Sequence, residues 1–98
     1  MLGFGEVQID TLGMRVLREG VEVELSPMEY QLLLYLVQNA GRVISRETIL
    51  REVWGFAKAP QTRTVDVHIT WLRGKFEQDR ANPRHIRTVR GAGYKFQV

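Results

Sequence analysis

The stretch Arg63-Thr64-Val65-Asp66-Val67-His68-Ile69-Thr70-Trp71-Leu72-Arg73-Gly74-Lys75-Phe76 decides the fold. Within it, Val65, Ile69, Leu72 and Phe76 recur at i, i+4, i+7 and i+11. At about 100° per residue these positions form one narrow stripe of a helix, the stripe that faces a core. The spacing predicts a helix over about residues 62–78. Its far side carries Arg63, Val67, Thr70, Trp71 and Gly74. Val67 and Trp71 stand one turn apart on that outward side, and paired apolar groups outside a core call for a partner.

Upstream, two shorter helices are marked by their starts. Ser26-Pro27-Met28-Glu29 combines a capping serine, a proline at the first helical position and a glutamate able to close a capping box. Met28, Leu32, Tyr35 and Leu36 follow at helical spacing, and Gly41 is expected to end the helix in a left-handed conformation. After a brief Val43-Ile44 extension, Ser45 caps a second helix holding Ile49, Leu50 and Val53 and ending at Trp54-Gly55. Residues 55–61, with Pro60, read as a loop. Before all of these, Val21, Val23 and Leu25 alternate with Glu22 and Glu24, a period of two with one buried face. With Glu19-Gly20 as a hairpin turn, residues 4–25 read as a small antiparallel sheet. Downstream, Ile86–Val89 and residues 94–98 read as two strands joined by Arg90-Gly91-Ala92-Gly93. The order is sheet, three helices, hairpin. That is an α+β chain with a helix-turn-helix of lengthened turn, a third helix suited to reading a groove, and a wing beside it.

Composition agrees and excludes alternatives. Ninety-eight residues, 44% hydrophobic and 26% charged, suit one globular domain, here residues 1–98. The absence of cysteine removes disulfides, thiolate metal sites and cysteine nucleophiles, and fits a reducing cytosol, so a cytoplasmic location is expected. The longest apolar run, residues 32–37, is too short to span a bilayer. No basic start followed by a long apolar stretch marks a signal peptide. Residues 1–60 hold six basic and eight acidic side chains, whereas residues 61–98 hold eight basic and three acidic. A basic half on a neutral platform suggests a polyanion at one face, although charge alone fits a solvated surface as well.

The third-helix stretch, followed by Ile86-Arg87-Thr88-Val89-Arg90-Gly91-Ala92-Gly93-Tyr94-Lys95-Phe96, closely resembles the effector domain of OmpR/PhoB-type response regulators. Leu25-Ser26-Pro27-Met28-Glu29-Tyr30, Gly41-Arg42-Val43-Ile44-Ser45-Arg46-Glu47 and Val53-Trp54-Gly55 extend the likeness over essentially the whole chain. The resemblance implies a winged helix-turn-helix with an N-terminal antiparallel four-stranded sheet, three helices and a C-terminal β-hairpin wing. It further implies sequence-specific binding of double-stranded DNA, as the output half of a two-component system. A phosphorylated receiver domain precedes this domain in that family, and nothing here is long enough to be one. Paired sites on DNA would then be direct repeats about one helical turn apart.

Several residues acquire expected roles. Arg63 opens the third helix outward, where arginine reads bases or phosphates; the alternative is a plain surface arginine. Val67 suits a thymine methyl group. Trp71 departs from the family, which often has arginine there, so two readings stay open: apolar contact in the groove, or packing as satellite core. Thr64, His68, Thr70, Arg73 and Lys75 resemble positions that touch the sugar-phosphate backbone, His68 as a neutral imidazole donating to phosphate. In the wing, Arg90 suits the minor groove, Gly91 permits close backbone approach, and Thr88 and Tyr94 support it through phosphate contacts. Trp54 and Arg46 are further phosphate candidates, whereas Asp66 reads as structural and paired with an arginine. The loop Gly55, Phe56, Ala57, Lys58, Ala59, Pro60 and Gln61 resembles the segment through which family members touch RNA polymerase. No cofactor or metal is expected, because two histidines without a carboxylate cluster make no ligand set. An enzyme would need a nucleophile–base pair or carboxylate dyad that is missing. The remaining rival is a protein-docking face built on Val67 and Trp71.

Overall fold

The computed structural model describes residues 2–55 and 61–98. Four short strands come first: β1 (Leu2–Phe4), β2 (Val7–Asp10), β3 (Arg15–Arg18) and β4 (Val21–Val23), antiparallel in that order. Glu19 (φ 52°) and Gly20 (φ 80°) form the two-residue turn between β3 and β4, the left-handed pair that matches strand twist. The periodic reading of β4 needs correction. Val21 is 68% exposed, beside the turn at the start of β4, which is an edge strand of the sheet.

Helix α1 (Pro27–Gln38) starts as its sequence demands. The Ser26 hydroxyl accepts from the Glu29 N–H, and the Glu29 carboxylate accepts from the Ser26 N–H at 2.9 Å. Helix α2 (Arg46–Ile49) begins at the Ser45 cap and continues as a π-helical segment, Leu50–Trp54. The sequence-based expectation of one regular helix is corrected there. The wider turn is the kind found at functional bends, and Trp54 ends it beside the third helix. Helix α3 (Arg63–Phe76) is shorter than the expected 62–78, since Glu77 is already extended. Val65, Ile69, Leu72 and Phe76 are all buried, as their spacing requires.

The C-terminal hairpin joins β6 (Ile86–Val89) to β7 (Gly93–Phe96), and β7 pairs on its other edge with β5 (Val43–Ile44). The Val43-Ile44 extension is thus the third strand of the wing sheet. Gly93 makes this possible. Its φ is 142°, and a Cβ built there would lie 2.1 Å from the Ile44 carbonyl oxygen. One core joins both sheets and all three helices, with Phe4 edge-on to both Phe76 and Phe96. No helix among the described residues is long and apolar enough to cross a membrane.

Candidate nucleic-acid interface

Helix α3 divides into three faces. One is the buried stripe. A second flank, bearing Asp66 and Arg73, leans toward the wing. The Asp66 carboxylate receives Arg46 Nε at 3.0 Å, a second Arg46 N–H from Nη2, and the Tyr94 hydroxyl at 2.6 Å. One carboxylate in the first turn of α3 therefore ties α2 and β7 to that helix, where the helix dipole also favours negative charge. Burial, and then the bond to Asp66, push the Tyr94 hydroxyl up to about 12. Arg73 donates to the Ile86 carbonyl at 2.9 Å and to the Thr88 hydroxyl at 2.8 Å, with its guanidinium over the Tyr94 ring. Between the start of α2 and the tip of the wing opens a cleft of about 430 Å³, lined in part by Arg46, Thr88 and Arg90.

The third face carries Thr64, His68 and Trp71. Three rings follow one another there: Trp54 lies edge-on to His68 at 5.0 Å, and His68 lies 4.8 Å from Trp71. His68 Nδ1 sits 2.8 Å from the Thr64 carbonyl oxygen, one turn earlier. At the outer rim Val67 is 39% and Trp71 50% exposed. Arg63 and Arg90 are exposed, and neither makes a side-chain hydrogen bond or ion pair with a described residue. Among the described residues, Arg63 thus stands unbonded on α3 with exposed Val67 and Trp71, and Arg90 stands unbonded at the wing tip, all on the basic half of the chain.

A family model described as transcriptional regulatory protein, C terminal, matches residues 20–96. The chain belongs to that family. Family members of this type are the DNA-binding output domains of OmpR/PhoB-type response regulators, a binding class and not an enzyme class. The DNA-binding response regulator MtrA of Mycolicibacterium smegmatis is 42% identical over 97% of this chain, which covers 42% of MtrA. The transcriptional regulatory protein CseB of Streptomyces avermitilis is 47% identical over the full chain, which covers 40% of CseB. The chain thus spans about two-fifths of the curated relatives it matches. Among solved structures, response regulator DrrB of Thermotoga maritima superposes with a TM-score of 0.90 at 35% identity, covering 99% of this chain and 44% of DrrB. The Klebsiella pneumoniae RstA DNA-binding domain, solved in complex with the RstA box, superposes with a TM-score of 0.87 at 33% identity. There the match covers 98% of this chain and 95% of the RstA domain.

Within this OmpR/PhoB-type domain, Arg63, Thr64, Val67 and Trp71 lie off the buried stripe of α3 and Arg90 lies at the wing tip, whereas several other expected phosphate contacts hold bonds within the domain. Tyr94 is buried, and its only proton goes to Asp66, so it is a strut of the wing. Lys75 points to α1, donating to Glu29 at 2.9 Å and to the Glu24 carbonyl at 3.0 Å. Burial opposes ionisation of Glu29, yet the Ser26 N–H, Lys75 and the Ser26 hydroxyl together hold it below its ordinary value. Thr70 donates its proton to the Asp66 carbonyl one turn back. His68 has only one ring proton when neutral, and the Thr64 carbonyl accepts from Nδ1, so a neutral imidazole has none left for a phosphate. Arg46 and Arg73 are anchored but keep unused N–H groups. Thr88 accepts from Arg73 and still has its own proton. Trp54 is half-buried, with no described partner for its indole N–H. Gly91 sits at the wing tip with φ 75° and open space around it. Of the expected polymerase loop, Gly55 and Gln61 flank the segment, and Phe56, Ala57, Lys58, Ala59 and Pro60 lie outside the described residues.

One organising residue escaped sequence reasoning. Glu77, 6% exposed, accepts backbone N–H groups from Arg84, His85 and Ile86, the last at 2.7 Å. It fixes where β6 leaves the end of α3 and so where the wing starts. The only local signal was a glutamate one position beyond the last stripe residue, Phe76.

Proposed function

We propose that this chain is a single sequence-specific, double-stranded-DNA-binding domain that serves transcription regulation in the cytoplasm. Helix α3 enters the major groove with Arg63, Val67 and Trp71 toward base edges, and the Arg90–Gly91 tip approaches the minor groove. Trp54, Thr64, Thr88 and the unused N–H groups of Arg46 and Arg73 meet phosphates and set the register. In the longer protein a receiver domain would control pairing on direct repeats, and residues 55–61 would meet RNA polymerase. The observation that carries this reading is that Arg63 of α3 and Arg90 of the wing tip are exposed with no bond to a described residue, and that Val67 and Trp71 are exposed on α3.

Selection of bound sequences from a random duplex pool tests it, followed by binding isotherms at several salt concentrations. We expect one recurring motif and affinity that falls steeply with salt. Arg63→Ala should weaken binding to that motif by about 1–3 kcal/mol if it contacts a base bidentately. Arg90→Ala should also weaken binding, and both variants should melt within about 0.5 kcal/mol of wild type. Failure to enrich any duplex would instead favour a protein-docking role for Val67 and Trp71.

A further inference from the structure

We propose that DNA binding by this domain is proton-coupled through His68: the imidazole takes up a second proton to meet a backbone phosphate. This rests on the DNA-binding reading above and adds to it a chemical requirement set by the Thr64 bond. A carbonyl oxygen only accepts, so Nδ1 of His68 carries the hydrogen in the 2.8 Å contact with Thr64. Nε2, across the ring and away from that contact, is then a lone pair in the neutral form. A lone pair facing a phosphate oxygen is repelled. The same atom protonated is a charge-assisted donor.

The surroundings favour a ring that is held still and lacks a counter-ion. Trp54 and Trp71 flank it at 5.0 and 4.8 Å, and aromatic neighbours are compatible with a cation as well as a neutral ring. Several charged groups on the elements around it are paired with one another among the described residues. On the π-helical segment Arg51 and Glu52 lie 3.9 Å apart. Glu29 of α1 is bound to Lys75 of α3 at 2.9 Å, and Asp66 is held on the opposite flank of α3 by Arg46 and Tyr94. Arg63 stands at the start of the helix with no described partner. Among the described residues, no carboxylate lies within ion-pairing distance of His68. A DNA phosphate would be the first anion the ring meets.

The test uses the duplex recovered from the random-pool selection, at fixed ionic strength, over the range of about pH 5–8 in which histidine alone among ordinary side chains changes charge. For wild type, log Kd should rise by up to about one per pH unit toward the alkaline end, as linkage to one proton requires. Calorimetry of the wild type in two buffers of different ionisation enthalpy should register net proton uptake, a measurement that needs no variant to fold. His68→Gln, which offers an amide donor without a proton to gain, should bind with a flat pH profile. His85→Gln should keep the slope, since His85 lies against Phe4 with Nδ1 at the Gln97 carbonyl. Flat wild-type binding with no proton uptake would overturn the coupling while leaving DNA binding intact. A slope that survives in His68→Gln would overturn the assignment to His68. Absence of binding at every pH would overturn the DNA-binding reading itself.

Discussion

Replacing Asp66 by alanine removes the one group that α2, α3 and the wing share. Three donors lose their acceptor at once, and their burial decides the cost. The Tyr94 hydroxyl belongs to a residue only 7% exposed, so it is left inside with a proton and no partner. An unpaired buried polar group costs about 1–3 kcal/mol. The Arg46 side chain is 42% exposed and rehydrates, so its share is that of a screened surface pair, about 0.2–1 kcal/mol. Loss of a first-turn carboxylate adds about 0.3–1 kcal/mol through the helix dipole. The sum is about 1.5–5 kcal/mol, the largest share from the tyrosine. Tyr94→Phe should cost less, about 1 kcal/mol, because Asp66 keeps Arg46. The double variant should be less destabilised than the two singles added, since the orphaned hydroxyl is gone. Urea titrations of the four proteins measure these differences directly. Wild-type stability in Asp66→Ala, or strict additivity, would show that the shared carboxylate does not hold the wing to the helix.

Three further outcomes are expected. Gly93→Ala places a methyl group against the Ile44 carbonyl at a backbone angle alanine rarely adopts, so β5 and β7 should separate at a cost of roughly 2 kcal/mol or more; an unchanged urea midpoint would contradict the close approach. Trp71→Arg should leave stability within about 1 kcal/mol, the indole being half exposed, and should move the selected motif toward guanine at one position by roughly 1–3 kcal/mol. An unchanged motif would remove Trp71 from base reading. Alkaline absorbance titration should show one of the three tyrosines ionising near 12, and Tyr94→Phe should abolish that step. Because the folded value lies above the ordinary 10.0, the stability from Tyr94 is complete below pH 10 and lost as pH rises through about 12.

What the sequence made legible is what short range encodes. Ser26 and Glu29 meet across three residues, the α3 stripe repeats within one helix, and Glu19-Gly20 closes its own turn, so periodicity and capping chemistry suffice. The partners of Asp66 lie 20 and 28 residues away, and those of Lys75 lie 46 and 51 away. No local pattern reports such distances. A basic residue on a basic helix therefore reads as a phosphate contact whether it faces DNA or the neighbouring helix. Tyr94 was the legible exception. It shares strand parity with Phe96, and a period of two places both on the buried side. The loss of the α-helical register at Leu50–Trp54 left no mark in the hydrophobic spacing.

The division of labour on α3 explains why so many polar side chains turn inward. A reading surface gains affinity when its groups are already ordered before contact, because ordering a long side chain at the interface costs about 0.5–1.5 kcal/mol each. Arg46 and Arg73 meet that cost during folding, through Asp66, Ile86 and Thr88, and bring their remaining N–H groups in fixed directions. Trp71 is held against the His68 ring and is half exposed. Arg63 and Arg90 hold no side-chain bond to a described residue, one at the start of the helix and one at the wing tip. Asp66, Glu77 and Gly93 tie the wing to α3 and to β5, and so set the spacing of those two arginines. On the proposed reading, these three residues would therefore set the spacing of the base contacts without making them. A wing displaced by Gly93→Ala should accordingly lose the contribution of Arg90 while keeping that of Arg63, and a selected motif shortened on one side only would be its signature.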